Sequence, residues 1–344
     1  VNTAAMSTGP APWLLGPWQT LLERAAAGRL PGGLLVTGAE GTGKGWLVTA
    51  FLQRLYCDRA SGLQPACGDC GGCRSLAGGV HPEVHEVMPP EPGKEIPVDA
   101  IRTASEFLGL SGSATWRVLR LHPAEAMNAS AANALLKTLE EPPSGALAIL
   151  ESARPSALPA TIRSRCQNLH LATPSLDQAR AWLAGMTDDP GAVEAAWAAA
   201  LGRPMTAAEL LADPDRQAAW ERDRDALTGL LRATDLHSVV PALMRCDPET
   251  LVPRLQALLL SAQRWLASGE MDRFGAQFPR EDLQRFARER GARGMASLVQ
   301  QSRQWQRQLR TTLNPQLRME DMAAAMLPLT TPQRVAYGDR SGAY

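Results

Sequence analysis

Gly38 to Gly45 reads GAEGTGKG, which matches G-x-x-x-x-G-K and then fails where a serine or threonine should follow the lysine. In a complete loop of this type the glycines let backbone N–H groups cradle phosphates, the lysine reaches the terminal phosphates and the hydroxyl holds magnesium. Gly38, Gly41, Gly43 and Lys44 are therefore the candidate nucleotide-binding residues of a degenerate phosphate loop, and Gly45 brings no hydroxyl. A chance glycine-rich turn is the plainer alternative. Such loops also need an acidic pair at the end of a later strand. Here the strand Val118-Leu119-Arg120-Leu121 ends in His122-Pro123, and Glu125 is offset from it and reads as a solvated charge. Losing both elements argues against intrinsic hydrolysis, because phosphoryl transfer rests on metal neutralisation and positioning. Residual ATP binding through Lys44 and backbone amides stays open.

Cys57, Cys67, Cys70 and Cys73 form a second constellation, C-x(9)-C-x(2)-C-x(2)-C, with glycines at 68, 71 and 72 that permit tight turns. Four thiolates without a histidine or an open position suit a closed, structural Zn2+ site. An iron–sulfur cluster is the rival reading, and a redox dithiol a weaker one. Cys166 and Cys246 stand alone and read as small buried residues.

The elements around these residues follow from periodicity. Gly33 to Thr37 is an apolar run that reads as a buried strand. After the glycine loop, Leu47, Ala50, Phe51 and Leu55 recur at helical spacing, giving the strand, loop, helix order the motif demands. Further strands are expected at Val84–Val87, Trp116–Leu121, Ala146–Leu150 and Gln167–Leu171. The intervening helices run from Asp99 to about Leu110 and from an Asn128 cap up to Pro142-Pro143. Strands alternating with helices imply a parallel, doubly wound sheet. From Pro174 onward strand signals vanish, and the chain reads as helices punctuated by Asp-Pro turns at 189–190, 213–214 and 247–248.

Composition narrows the class. Lysine plus arginine equals aspartate plus glutamate at 35 each, so no global charge favours nucleic acid, and any DNA contact must be local or shared. Between Arg285 and Arg310 basic residues outnumber acidic ones, with Phe286 and Trp305 interspersed; a packed helix with a solvated face is the commoner explanation than direct DNA binding. No stretch of about 18 apolar residues is present and the opening residues lack the order of a secretory signal, so no membrane contact and a cytoplasmic location are expected.

Two further strings, NALLKTLEEPP at Asn133–Pro143 and SRC at Ser164–Cys166, together with APW at 11–13 and GRLPGGLLVTG before the loop, resemble the delta-prime family of bacterial DNA polymerase III clamp-loader subunits. The resemblance implies an α/β AAA+ P-loop domain, a parallel sheet flanked by helices with an inserted zinc module, then a small helical lid and an all-α collar. It carries zinc binding onto Cys57, Cys67, Cys70 and Cys73. It also makes Arg165 an arginine finger acting in trans on ATP bound by a neighbouring subunit. The implied partners are gamma or tau and delta subunits in a five-subunit ring, the sliding clamp and, through the complex, primed DNA.

On this reading residues 1–172 form the AAA+ domain with its zinc-binding insertion at 57–73. Residues 173–213 form the lid, 214–330 the collar or oligomerisation domain, and 331–344 a flexible tail. GRPM at Gly202–Met205 puts methionine where an ATPase subunit would carry its sensor arginine. The expected function is a non-hydrolysing subunit of the DNA polymerase III complex. Two alternatives stand beside it: an active gamma/tau-type ATPase subunit, and a zinc-ribbon nucleic-acid-binding module on a degenerate P-loop scaffold.

Overall fold

A computed structural model describes residues 11–62, 64–91, 93–110, 115–309 and 314–327; the tail expected at 331–344 lies outside the described residues. Five strands form one all-parallel sheet: β1 (Gly33–Thr37), β2 (Val84–Val87), β3 (Arg117–Leu121), β4 (Ala146–Ser152) and β5 (Gln167–His170). Their order is β2-β3-β4-β1-β5, which puts β1 and β4 side by side near the middle with Leu34 opposite Ile149. Both strands are buried along their full length, the expected state of inner parallel strands covered on two faces.

Helices α1 (Leu15–Ala26), α2 (Lys44–Leu55), α3 (Gly71–Ala77), α4 (Val98–Gly109), α5 (Ala129–Glu140) and α6 (Ala160–Arg165) flank and connect the strands. On one face α4 and α5 close the core: Ile101, Ala104, Leu108, Leu135 and Leu139 pack with Leu35, Leu119, Leu121 and Leu150. Each such leucine or isoleucine contributes about 1.5–3 kcal/mol through burial. Asn128 caps α5 by accepting the Ala131 N–H at 2.8 Å, worth about 1 kcal/mol. Pro142 and Pro143 follow directly on its end.

Beyond the sheet every described element is helical: α7 (Leu176–Ala184), α8 (Pro190–Ala199), α9 (Pro204–Ala212), α10 (Pro214–Arg232), α11 (Val240–Leu243), α12 (Pro248–Ser268), α13 (Arg280–Gln308) and α14 (Pro315–Met326). The Asp-Pro pairs turn out to be helix starts. Asp189, Asp213 and Asp247 each accept a backbone N–H two residues on, and the proline takes the first helical position, where no N–H is needed.

The chain divides into two compact units, residues 1–217 and 218–344. The sheet and α7–α9 belong to the first. In the second, α12 packs along α13, and Leu251, Leu255, Leu258 and Leu259 of α12 and Leu283 and Phe286 of α13 are buried. Arg254 lies 4.8 Å over the Trp220 ring and is bonded to buried Asp223. Phe286 and Trp305 are both buried, and Trp305 donates its indole N–H to Asp321 at 2.7 Å, so the aromatics of this basic helix serve packing.

Candidate functional site

The glycine loop spans the end of β1 and the start of α2, where the strand has to reverse into the helix. Gly38, Gly41 and Gly43 all have positive φ, a conformation that side chains with a Cβ rarely adopt. Lys44 turns back on the loop, donating from Nζ to the Gly38 carbonyl at 2.9 Å and the Ala39 carbonyl at 2.8 Å. Burial pulls its pKa below the ordinary lysine value, against the opposing pull of Glu151, Glu125 and Glu40.

Other residues of the same unit close over the loop. The Met205 N–H donates to the Gly41 carbonyl at 3.0 Å, and the Trp13 indole donates to the Thr42 carbonyl at 2.9 Å. Arg203 lies 3.3 Å from Glu40, and a Cβ on Gly41 would come within 2.6 Å of the Arg203 Cβ. The GRPM string of the sequence therefore rests directly on the glycine loop.

Beside Gly45 the structure places a residue that motif reading missed. Arg120 of β3 donates from Nε to Glu151 Oε1 at 2.7 Å, from Nη1 to Thr49 Oγ1 at 3.1 Å and from Nη2 to the Gly45 carbonyl at 3.2 Å; Glu86 Oε1 is 3.1 Å away. The Arg120 and Glu151 side chains are only 8% and 6% exposed. His122, in a cis peptide bond with Pro123, contacts Glu86 through Nε2 at 2.8 Å. That contact holds the Glu86 carboxyl below its ordinary range, with burial opposing and Arg120 assisting. The signal was available in the sequence: Arg120 and Glu151 each interrupt an apolar run in a strand buried on both faces, which is tolerated only when such charges are paired.

Glu125 departs from its expected place. It is not a solvated charge: the short turn Ala124–Ala126 tucks it under the sheet end, its side chain is 5% exposed and Oε1 accepts the Ala153 N–H at 3.2 Å. Its Oε2 is buried with no hydrogen-bond partner among the described residues.

The four expected cysteines converge. Their sulfurs all lie within 4.8 Å of one another, with Cys67 to Cys73 at 4.0 Å and Cys57 to Cys70 at 3.9 Å. A tetrahedral zinc with Zn–S bonds of about 2.3 Å needs sulfur separations of about 3.8 Å, so the donor set fits that ion. Backbone N–H groups of Cys67 and Cys73 point at the sulfurs of Cys57 and Cys70 at 3.3 and 3.4 Å, and would stabilise thiolate charge. Gly72 is required at the start of α3, since a Cβ there would lie 2.0 Å from the Tyr56 carbonyl oxygen. Cys166 and Cys246 are buried apart from this cluster, and burial pushes their thiols up to about 11 and about 12.

Arg165 ends α6, remote from the glycine loop of its own chain in sequence and 34% exposed. Its Nη2 is 2.6 Å from Glu140 Oε1 and its Nη1 donates to the Thr161 carbonyl at 3.1 Å. The SRC and LEEPP strings are thus joined by an ion pair.

A parallel sheet with a glycine loop at the end of its first strand, helices on its faces, a four-thiolate module and a helical C-terminal region define a P-loop-type α/β protein of the AAA+ class. Comparisons with known proteins narrow this. The family model described as DNA polymerase III, delta subunit matches residues 16–175. The chain is 35% identical to the DNA polymerase III subunit delta' of Yersinia pestis over 74% of this chain and 76% of that one. It is 33% identical to the Escherichia coli K12 protein of the same name over 73% and 75%. A crystal structure of a DNA polymerase III gamma subunit-related protein from Thermotoga maritima aligns over 91% of this chain and 98% of that chain at 19% identity and a TM-score of 0.47. The chain belongs to the DNA polymerase III delta-prime family of clamp-loader subunits. Among the described residues no helix is long and apolar enough to cross a membrane.

Proposed function

We propose that this chain is a non-hydrolysing delta-prime subunit that supplies Arg165 in trans to the ATP site of a neighbouring gamma or tau subunit, within a ring that also contains delta and loads the sliding clamp onto primed DNA. One observation carries the reading. The glycine loop has no hydroxyl at position 45 and carries Arg120 on the Gly45 carbonyl, while Arg165 stands partly exposed at a helix end. A guanidinium fork at the surface can meet a partner's phosphate in the way arginine fingers do, a contribution of about 10³ to 10⁵ in rate. The sheet with its cysteine module would act as the AAA+ domain, 173–213 as a lid and 214–330 as a collar for ring assembly. Zinc on Cys57, Cys67, Cys70 and Cys73 would fix the insertion, contributing on the order of 10 kcal/mol to local folding.

Reconstitution with gamma and delta tests this. The isolated chain should not turn over ATP, and Arg165→Ala should lower turnover by the complex without dissociating it. Unchanged turnover in that complex removes the finger role.

One observation favours a second reading, an active gamma/tau-type ATPase subunit. Glu125 carries a buried carboxylate oxygen without a partner among the described residues, beside the loop whose lysine it influences. ATP turnover by the isolated chain that disappears with Glu125→Gln would favour that reading over the first.

A further inference from the structure

In a complete phosphate loop the hydroxyl after the lysine is a magnesium ligand. A Cβ built on Gly45 would lie 3.4 Å from Arg120 Nη2 and 3.6 Å from Glu151 Oε2, so a hydroxyl there would enter a guanidinium–carboxylate pair. The residues present do not suit magnesium. We propose that Arg120 stands in the place of the divalent cation beside the glycine loop, a fixed internal charge that keeps a metal–nucleotide complex from forming there. The proposal rests on the non-hydrolysing reading and gives it a cause beyond the missing hydroxyl.

Three features carry it. Arg120 cannot swing aside, because Nε, Nη1 and Nη2 are each engaged, by Glu151, by Thr49 and Glu86, and by the Gly45 carbonyl. Its charge is permanent, since a guanidinium does not deprotonate in a protein. The carboxylates of Glu151 and Glu86, which would otherwise offer oxygen ligands to a hard cation, are spent on it, and His122 adds a further contact to Glu86. A divalent ion brought beside this group would meet like charge in a site with little water to screen it.

The test titrates Mn2+ into the complete chain in the presence of ADP and follows free metal by its paramagnetic resonance signal. Wild type and Gly45→Ser should both leave the metal free. Gly45→Ser combined with Arg120→Met should bind Mn2+ and show ADP affinity that rises about tenfold or more when metal is added. A double variant that retains its helical signal and its zinc but leaves Mn2+ free overturns the proposal. Should the double variant fail to fold, Gly45→Ser alone still tests the proposal: metal-dependent ADP binding there would mean that the hydroxyl alone was lacking and overturns the role of Arg120, whereas the proposal expects none. ATP turnover is scored separately. Turnover by the wild-type chain sinks the non-hydrolysing reading, whereas Mn2+-dependent ADP binding by Gly45→Ser without turnover sinks only the part assigned to Arg120.

Discussion

Arg165 Nη2 and Glu140 Oε1 are 2.6 Å apart, so the last residues of α6 and α5 hold each other's charge at the surface. Both are more than a third exposed or close to it, and such pairs contribute only about 0–1 kcal/mol to stability. On the proposed finger role the pair's significance is orientation: Glu140 would set the direction of the fork offered to a neighbour's phosphate.

Glu140→Gln should therefore shift unfolding stability by less than about 1 kcal/mol. ATP turnover of the reconstituted complex should fall, by less than Arg165→Ala lowers it, because a misaimed fork still carries charge. Urea unfolding and steady-state turnover on the same preparations check this. A large stability loss with turnover intact would make the pair structural.

On the proposed zinc site, Cys70→Ser should abolish metal binding and Gly72→Ala should weaken it. An added methyl at 72 would meet the Tyr56 carbonyl at 2.0 Å, forcing the start of α3, and with it Cys70 and Cys73, away from Cys57. Supporting-residue changes of this kind typically reduce metal affinity by about 10- to 100-fold. Metal content by atomic absorption, and affinity by competition with a chromogenic chelator, should show one zinc per wild-type chain, little or none in Cys70→Ser and weaker retention in Gly72→Ala.

The contact from His122 to Glu86 predicts an acid dependence. Glu86 is held below its ordinary value of 4.5, first by that hydrogen bond, with burial opposing and Arg120 assisting. A carboxylate depressed in the folded state contributes stability that is present above its unfolded pKa and is lost as pH falls through its folded value. His122→Ala should thus lower the melting temperature near neutral pH, and the difference from wild type should narrow as pH drops below 4.5. A difference that stays constant across that range would mean the loss came from packing.

Much of this was legible from the residues. The five-residue apolar run of β1, the glycines after it and the helical spacing of Leu47, Phe51 and Leu55 specify strand, loop and helix locally, and Asn128 caps α5 with its own side chain. The cysteines came together because their spacing is short. The Asp-Pro pairs read as turns and are helix starts, since the same aspartate oxygen that closes a turn also accepts the first free N–H groups of a helix. Arg120 was legible only as a charge in a buried strand that must be paired, and neither its partners nor the burial of Glu125 could be read, because the partners lie far along the chain. Ala153 is 28 residues from Glu125, and Glu151 is 31 residues from Arg120. Only the register of β3 against β4 brings Arg120 and Glu151 together.

Because Arg120 and Glu151 are enclosed together, Arg120 cannot be replaced alone without stranding the Glu151 charge, at a cost of about 3–5 kcal/mol, whereas Arg120 without Glu151 still has Glu86 at 3.1 Å. A lineage that acquired serine at position 45 would place its hydroxyl beside a guanidinium, its Cβ in ordinary contact at 3.4 Å. One that first lost Arg120 would carry an uncompensated carboxylate in its central sheet. The unfavourable step is the loss of Arg120, and its cost falls on folding, so selection for a stable sheet is enough to keep that guanidinium beside the loop whatever the subunit does with ATP.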